Sequence, residues 1–519
     1  MKRIAAWILC SALTVGVFTG CSREKEPYVP TGNALVMDDG STVDTHPTEQ
    51  EEVQEQNLTM VYYAEKSMNP LVCSDFTNRT LFSLIYQGLF SVDRNYETEP
   101  VLCKSYAVSD DMMTYRFILE TAYFSDGSRV TDADVVASLQ AARESNYYKG
   151  RFLYVSSIEE GENGGVVIRL TTPYENLPIL LDIPILKASQ IEAEYPVGSG
   201  PYVFEQGIGG ARLRKNTGWW CIDRADMPVT ASAITLLKAE SPAQIRDEFE
   251  FGDVNLVCAN PASDSYADYR SDYELWDCDN GNFLYIACNM DSVVFSDDTV
   301  RAALTYAIDR EKLADTYYNG FARMATLPAS PQSPYYDEGL AERYEYDGVK
   351  FANAVSESGM KDSVVKLMVN KDDSLRLRVA RQIGQMLTDC GLVVEMQELS
   401  TSDYADALIY RTYDLYVGQT KLSPNMDLSS FFYAYGELSY GKLDDSGLYA
   451  MCVEALANSG NYYDLHKMVM DDGRLCPVLF CGNAVYATRG VASDLQPSRD
   501  NVFYYSLGKT MEDALLSGE

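Results

Sequence analysis

The chain has 519 residues, with 42 Lys and Arg against 76 Asp and Glu and a formal net charge of −34. That balance argues against nucleic acid and against peripheral binding to anionic lipid, and a dispersed acidic surface of this kind reads as a solubility device. The length exceeds what one hydrophobic core sustains, so two or three lobes are expected.

The chain opens MKRIAAWILCSALTVGVFTGCSREKEP. Lys2 and Arg3 form a positive start, residues 4–17 an apolar run too short to span a bilayer comfortably, and small residues precede Cys21, as in a secretory signal peptide. Phe18-Thr19-Gly20-Cys21 resembles a lipobox, the bacterial lipoprotein signal in which the cysteine is diacylated and the preceding peptide removed. Residues 1–20 are then the signal and Cys21 the lipidated first mature residue, its two acyl chains making a durable anchor. Residues 21–57 are polar and acidic, nearly without aromatics, and read as a disordered tether.

At Leu58 the pattern changes. LTMVYYA is a strand signal; Asn69-Pro70 then breaks the chain, and Thr80, Leu81, Leu84, Ile85 and Leu89 recur at helical spacing. MTYRFILE predicts a strand, SDGSRV a turn, and TDADVVASLQAARES a helix with Thr131 as N-cap. GVVIRLTT, YVFEQ and ARLRKN read as strands. FLYIACN is a buried strand, and SDDTVRAALTYAIDREKLADTYYNG predicts one long helix capped by Ser296 and ending at Gly320. VVKLMVN, RLRVARQIGQMLTDCG and VVEMQEL give a β-α-β order, which predicts a parallel pair. YDLYVGQT is a further strand, LYAMCVEALAN a helix, and CPVLFC and AVYATRG two strands. No later apolar run reaches the length of a transmembrane helix.

Ten cysteines lie beyond Cys10 and Cys21 without a CxxC pair, and read mostly as buried small hydrophobes. With only His46 and His466, a three-histidine metal site is impossible, and a Ser-His or Cys-His nucleophile would need His466, which reads as structural. There is no GxSxG, HExxH or P-loop, and no carboxylate spacing marks an acid/base pair. Asp309 and Arg310 in AIDR read as structural ion-pair residues on a helix face. Tyr147 and Tyr148 are candidates for stacking on a ligand.

IYQGLF, SDDMMTYRFILE, FSDGSRVTDADVVASL, VGSGPYVFEQ followed by RLRKNTGWW, FLYIACNM with VRAALTYAIDREKL, YDGVKFANAVSESGM and YDLYVGQTKLSPNMDLSSFF stand in collinear order. Together they resemble the extracellular solute-binding proteins of the oligopeptide, dipeptide and nickel-binding family, the capture subunits of ABC importers. The resemblance implies an α/β, two-lobed periplasmic-binding-protein-like fold with an extra subdomain inserted in the first lobe. Residues 58–85, 200–283 and 490–519 would form lobe I, residues 86–199 the inserted subdomain, and residues 284–489 lobe II. It also implies hinge closure over an enclosed ligand, a peptide or similar small solute delivered to ABC permease subunits, with no enzymatic activity, cofactor or metal.

In the family, the loop after Asn-Pro makes main-chain contacts to an extended peptide, which falls here on Ser74, Asp75 and Phe76. The strand after YDLYV carries a Gly-Trp-x-x-Asp pattern whose Asp meets the ligand's α-ammonium. Here it reads Gly418-Gln419-Thr420-Lys421-Leu422, so the amine anchor is missing. Asp427 or Asp75 are the candidates to replace it, Lys421 is placed to meet a carboxylate instead, and N-acetylated peptides are expected to bind about as well as free ones. The expected protein is a lipid-anchored monomer facing the extracellular or periplasmic side. Two other readings are a surface sensing lipoprotein that keeps the fold without transport, and an exported hydrolase.

Overall fold

The computed structural model describes residues 58–222, 231–262, 272–492 and 495–502. Cys21 and the tether lie outside them.

A four-stranded sheet takes the order Leu58–Tyr62, Ala233–Lys238, Gly210–Lys215, Tyr202–Gly207, with the first pair parallel and the others antiparallel. Between its first and last members in the chain lies a second, antiparallel four-stranded sheet: Cys103–Val108, Thr114–Leu119, Val166–Leu170, Val155–Glu160. Helix Asp132–Glu144 accompanies this second sheet. It starts where expected, because the Thr131 hydroxyl accepts from the Asp134 amide while the Asp134 carboxylate accepts from the Thr131 amide, satisfying two donors that the first turn leaves open.

The third sheet has the order Leu256–Ala259, Leu475–Thr488, Tyr273–Cys288, Leu415–Lys421, Val364–Asn370, Val393–Leu399, with the short strand Arg323–Met324 also on Leu475–Thr488. Val364–Asn370 and Val393–Leu399 are parallel, joined through helix Ser374–Asp389, as the β-α-β reading requires. Two strands are much longer than the rest: Tyr273–Cys288 with 16 residues and Leu475–Thr488 with 14. One end of this pair meets Leu256–Ala259, the other Leu415–Lys421, so the two strands run from one to the other as a crossover. Their register shifts between Asp279 and Phe283, a bulge at the middle of the crossing.

CPVLFC and AVYATRG, expected as two strands, are one. The sequence reading breaks them at Gly482, but that glycine serves close packing: a Cβ there would come within 2.0 Å of the Phe321 carbonyl oxygen. All but the last residue of Leu475–Thr488 are buried, which is why its apolar run is continuous rather than alternating. Each fully buried Leu, Val or Phe there contributes about 1.5–3 kcal/mol.

The long helix expected over SDDTVRAALTYAIDREKLADTYYNG is instead Asp298–Ala303, a tight turn Leu304–Ala307, and a second helix Arg310–Tyr318. Asp297, not Ser296, caps the first, accepting from the Thr299 and Val300 amides. Ile308 is extended and Asp309 caps the second helix at the Lys312 amide. Arg310 is buried and enters no ion pair among the described residues. Its guanidinium donates to the carbonyls of Thr305, Ile308, Ala325 and Pro477, fastening the break to the long strand. Likewise the helical spacing from Thr80 to Leu89 yields two short helices, Phe76–Thr80 and Phe82–Ile85, that stop before Leu89.

Of the ten cysteines of the body, only Cys258 and Cys390 are not buried. Burial pushes the Cys481 thiol up to about 12, so at neutral pH it packs as a small hydrophobe.

Candidate binding cleft

A cavity of about 590 Å³ opens where the crossing strands bulge, within the roughly 300–1,000 Å³ range of small-molecule sites. Four stretches of chain build it.

The first is the loop after Asn69-Pro70. The buried Asn69 side chain donates to the carbonyls of Ile191 and Ala193 at 2.7 and 2.9 Å and accepts from the Leu71 amide, which pins the loop. Asp75 then caps helix Phe76–Thr80, accepting from the Asn78 amide at 3.1 Å. Phe76, Arg79 and Thr80, spaced i, i+3 and i+4 on one helix face, line the cavity with Ser74.

The second stretch follows helix Asp132–Glu144. Tyr147 lines the cavity, with the Arg79 guanidinium 3.4 Å from its ring centroid, while Tyr148 is buried beneath and accepts from Arg79 Nη2 at 2.7 Å. Arg151 is buried one turn further on and also reaches the cavity.

Strand Leu415–Lys421 and the loop after it supply the third stretch: Thr420, Lys421, Leu422, Ser423 and Asp427. Asp427 Oδ1 accepts from the Ser429 amide at 3.0 Å and hydroxyl at 2.6 Å. Burial pushes this carboxyl above the ordinary range, and the two Ser429 bonds offset only part of that rise. It forms no ion pair among the described residues.

Last come the bulge and the C-terminal stretch. Asn280, Asn282 and Asn483 join side chains, Asn280 Oδ1 accepting from Asn282 Nδ2 and Asn280 Nδ2 donating to Asn483 Oδ1. Gly281, with φ of 74°, allows the Arg499 guanidinium to lie against its backbone; a Cβ would be 2.8 Å from Arg499 Cζ. Asp500 is the electrostatic centre. Its carboxylate accepts from Lys421 Nζ at 2.5 Å, the Tyr147 hydroxyl at 2.8 Å, and Arg151 Nη2 and Arg499 Nε at 2.9 Å each. Burial would raise this carboxyl, but Lys421, Arg499 and Arg151 outweigh it and hold the group well below the usual carboxylate range.

Of the residues singled out from sequence, Ser74, Phe76, Tyr147, Thr420, Lys421 and Asp427 line the cavity. Asp75 is used as a helix cap, Tyr148 supports Arg79 from below, and Gly418 and Gln419 lie further back on the strand, outside the cavity lining. Gly418 pairs with Tyr285, whose ring fills the space a Cβ would need. Arg79, Arg151, Arg499, Asp500 and the three asparagines are not foreseen. The run Asp-Asn-Gly-Asn inside an apolar strand is a bulge signal; nothing in PSRDN marks Arg499 or Asp500.

Residues 97–441 match the family described as Bacterial extracellular solute-binding proteins, family 5 Middle. The glutathione-binding protein GsiB of Escherichia coli (strain K12) is 25% identical over 359 residues, which are 65% of this chain and 68% of the relative. NikA from Brucella suis, solved with Fe(III)-EDTA, superposes with a TM-score of 0.71 at 18% identity, over 88% of this chain and 100% of its own. The oligopeptide-binding protein AppA of Bacillus subtilis, solved with a nonapeptide, gives 0.61 at 20% identity, over 87% and 98%.

The fold is that of the two-lobed binding proteins. The chain belongs to the bacterial extracellular solute-binding proteins of family 5, a family of binding proteins rather than enzymes, and is a substrate-binding protein of the ABC-importer type. Membership puts its body on the extracellular or periplasmic side, and no helix among the described residues is long and apolar enough to cross a membrane.

Proposed function

We propose that the protein is a lipid-anchored, monomeric capture subunit. It holds one small peptide-like solute in the 590 Å³ cavity and passes it unconverted to ABC permease subunits. Cys21 carries the anchor, residues 21–57 are the leash, and the lobes (residues 58–85, 200–283 and 490–519; residues 284–489; with 86–199 inserted) close about the crossing strands.

The observation that carries this reading is the polarity of the cavity wall. Cations Arg79 and Lys421 and the carboxylate Asp427, which has no cationic partner among the described residues, line the same cavity. A solute with separated charges satisfies both, and a water-poor cleft strengthens each contact. Asp427 supplies the ammonium contact that Leu422 cannot. Relatives support a reading of this kind: GsiB is named for glutathione, AppA was solved with a nonapeptide, and NikA with Fe(III)-EDTA. Contacts that support closure join residues 86–199 to 284–489: Lys149 to Glu437 at 2.9 Å, the Tyr154 hydroxyl to Ser429 Oγ at 2.5 Å, and the Ser459 amide to Glu175 at 2.8 Å.

Calorimetry on ligand-stripped protein against short peptides, polyamines, sugars and metal chelates tests the reading. Peptides are expected to bind at one saturable site and to be recovered intact; silence from every class, or cleavage of the peptides, contradicts it.

A further inference from the structure

Arg79 stands beside the Asp500 cluster but outside its ion pairs. Five cationic side chains line the cavity, Arg79, Lys149, Arg151, Lys421 and Arg499, and Lys149 pairs with Glu437. Asp500 is already bonded to three of them, and Arg151 also pairs with Asp182. Arg151, Lys421 and Arg499 thus share Asp500 and Asp182, and Arg79 stands outside these pairs.

Arg79 has no ion pair among the described residues. Nη1 donates to the carbonyls of Pro70 at 3.1 Å and Cys73 at 2.8 Å, and Nη2 to the Tyr148 hydroxyl at 2.7 Å. Every one of these acceptors is neutral. They use three of the five N–H groups a guanidinium carries, leaving Nε–H and one Nη2–H. The plane of the group is fixed by the Tyr147 ring, with the rings of Tyr148 and Phe82 at 5.3 and 5.6 Å. Arg79 lines both the main cavity and an adjoining recess of about 60 Å³. An oriented guanidinium with two open N–H donors and no ion pair among the described residues suits a planar anion, because a carboxylate accepts two parallel N–H bonds from it.

Resting on the reading of this cavity as the solute site, we propose that Arg79, held by Tyr147 and Tyr148, is the subsite for a carboxylate of the solute, so that the protein selects acidic or free-acid ligands. A C-terminal carboxylate and an Asp or Glu side chain share this chemistry, and the test separates them.

The probes are an equimolar tripeptide library as free acids and the same library as C-terminal amides, competed on stripped full-length protein and read by native mass spectrometry and calorimetry. Free acids are expected to win by roughly tenfold. If amides are retained, they should be the Asp- and Glu-containing members, which places the side-chain acid at Arg79. Arg79→Gln should bring acids and amides within about twofold of each other. Because Arg79 also holds the Pro70 and Cys73 carbonyls, Arg79→Lys is run beside it; it keeps the charge without the planar fork and should fall between the two. Equal binding of acids and neutral amides by the wild-type protein, or an undiminished acid preference in a folded Arg79→Gln protein, overturns the subsite and leaves the cavity reading intact. Failure of every library member to bind the wild-type protein overturns both.

Discussion

Lys421 Nζ lies 2.5 Å from Asp500 Oδ1 and donates to the Tyr147 hydroxyl at 2.7 Å, so the end of strand Leu415–Lys421 is tied across the cavity to the C-terminal stretch and to the tyrosine under Arg79. The residue at the position after Thr420 thus does double duty. It fastens the two walls, and it adds positive charge to the surface a solute meets.

Asp500→Asn leaves Arg151, Arg499 and Lys421 crowded without their shared counter-charge. Removing one partner from a buried ion network costs about 3–5 kcal/mol, whereas Lys421→Met, at a side chain about a quarter exposed, should cost about 1 kcal/mol or less. Thermal unfolding should therefore rank Asp500→Asn well below Lys421→Met; the reverse order would show that the cluster is not organised on Asp500. Because the Asp500 carboxyl is held below its ordinary range, its stabilisation is present above about pH 4 and is lost as the pH falls through the depressed folded value.

Asp427 gives a binding prediction with its own pH signature. Its carboxyl is raised by burial, so an ammonium-bearing peptide binds best once that group is ionised, and affinity should climb as pH rises through the acid range. Asp427→Asn should flatten the profile and erase most of the difference between free and N-acetylated peptides. The sequence alone suggests that acetylation is tolerated; with Asp427 in the cavity, the free amine should be favoured. Calorimetry from pH 4 to 8 decides, and equal affinities for both forms would remove Asp427 from the site.

His466 is fully buried, with neither ring nitrogen hydrogen-bonded, and burial lowers its imidazole to about 3. The unfolded chain binds a proton near pH 6.5 that the folded protein refuses. Stability should accordingly fall by about 1.4 kcal/mol per pH unit from this residue as the pH drops from about 6.5 toward 3. His466→Leu should remove that part of the slope in urea titrations at pH 7, 5.5 and 4.5. An unchanged slope would mean that the ring finds a partner on protonation.

Gly281→Ala probes the bulge. The substitution forces a side chain into the left-handed region and against the Arg499 guanidinium, which donates to the Leu422 carbonyl at 2.8 Å. A loss of about 1–3 kcal/mol is expected, together with weaker solute binding, since Arg499 and Leu422 both line the cavity. Stability and affinity measured on the same protein should fall together.

How much of this was legible beforehand follows from what each feature depends on. The strand YDLYVGQT, the Thr131 cap and the β-α-β unit are written in local periodicity and capping, and the structure has them where the sequence puts them. The helix break at Ile308 was hidden, because Arg310 holds it through carbonyls contributed by residues as distant as Pro477. Gly482 looked like punctuation and is instead a packing contact with Phe321. The cleft shows the same division. Phe76, Lys421 and Asp427 stand in stretches with recognisable neighbours, while Asp500 gains its meaning mainly from partners 79, 349 and 353 residues away in the chain.

The most direct test of a captured guest is native mass spectrometry of the protein purified gently from its own cells. The account predicts a one-to-one complex with a single small solute carrying both an amine and a carboxylate, released on unfolding and chemically intact. A bare polypeptide mass, with no mass added by any peptide supplied at high concentration, would contradict it.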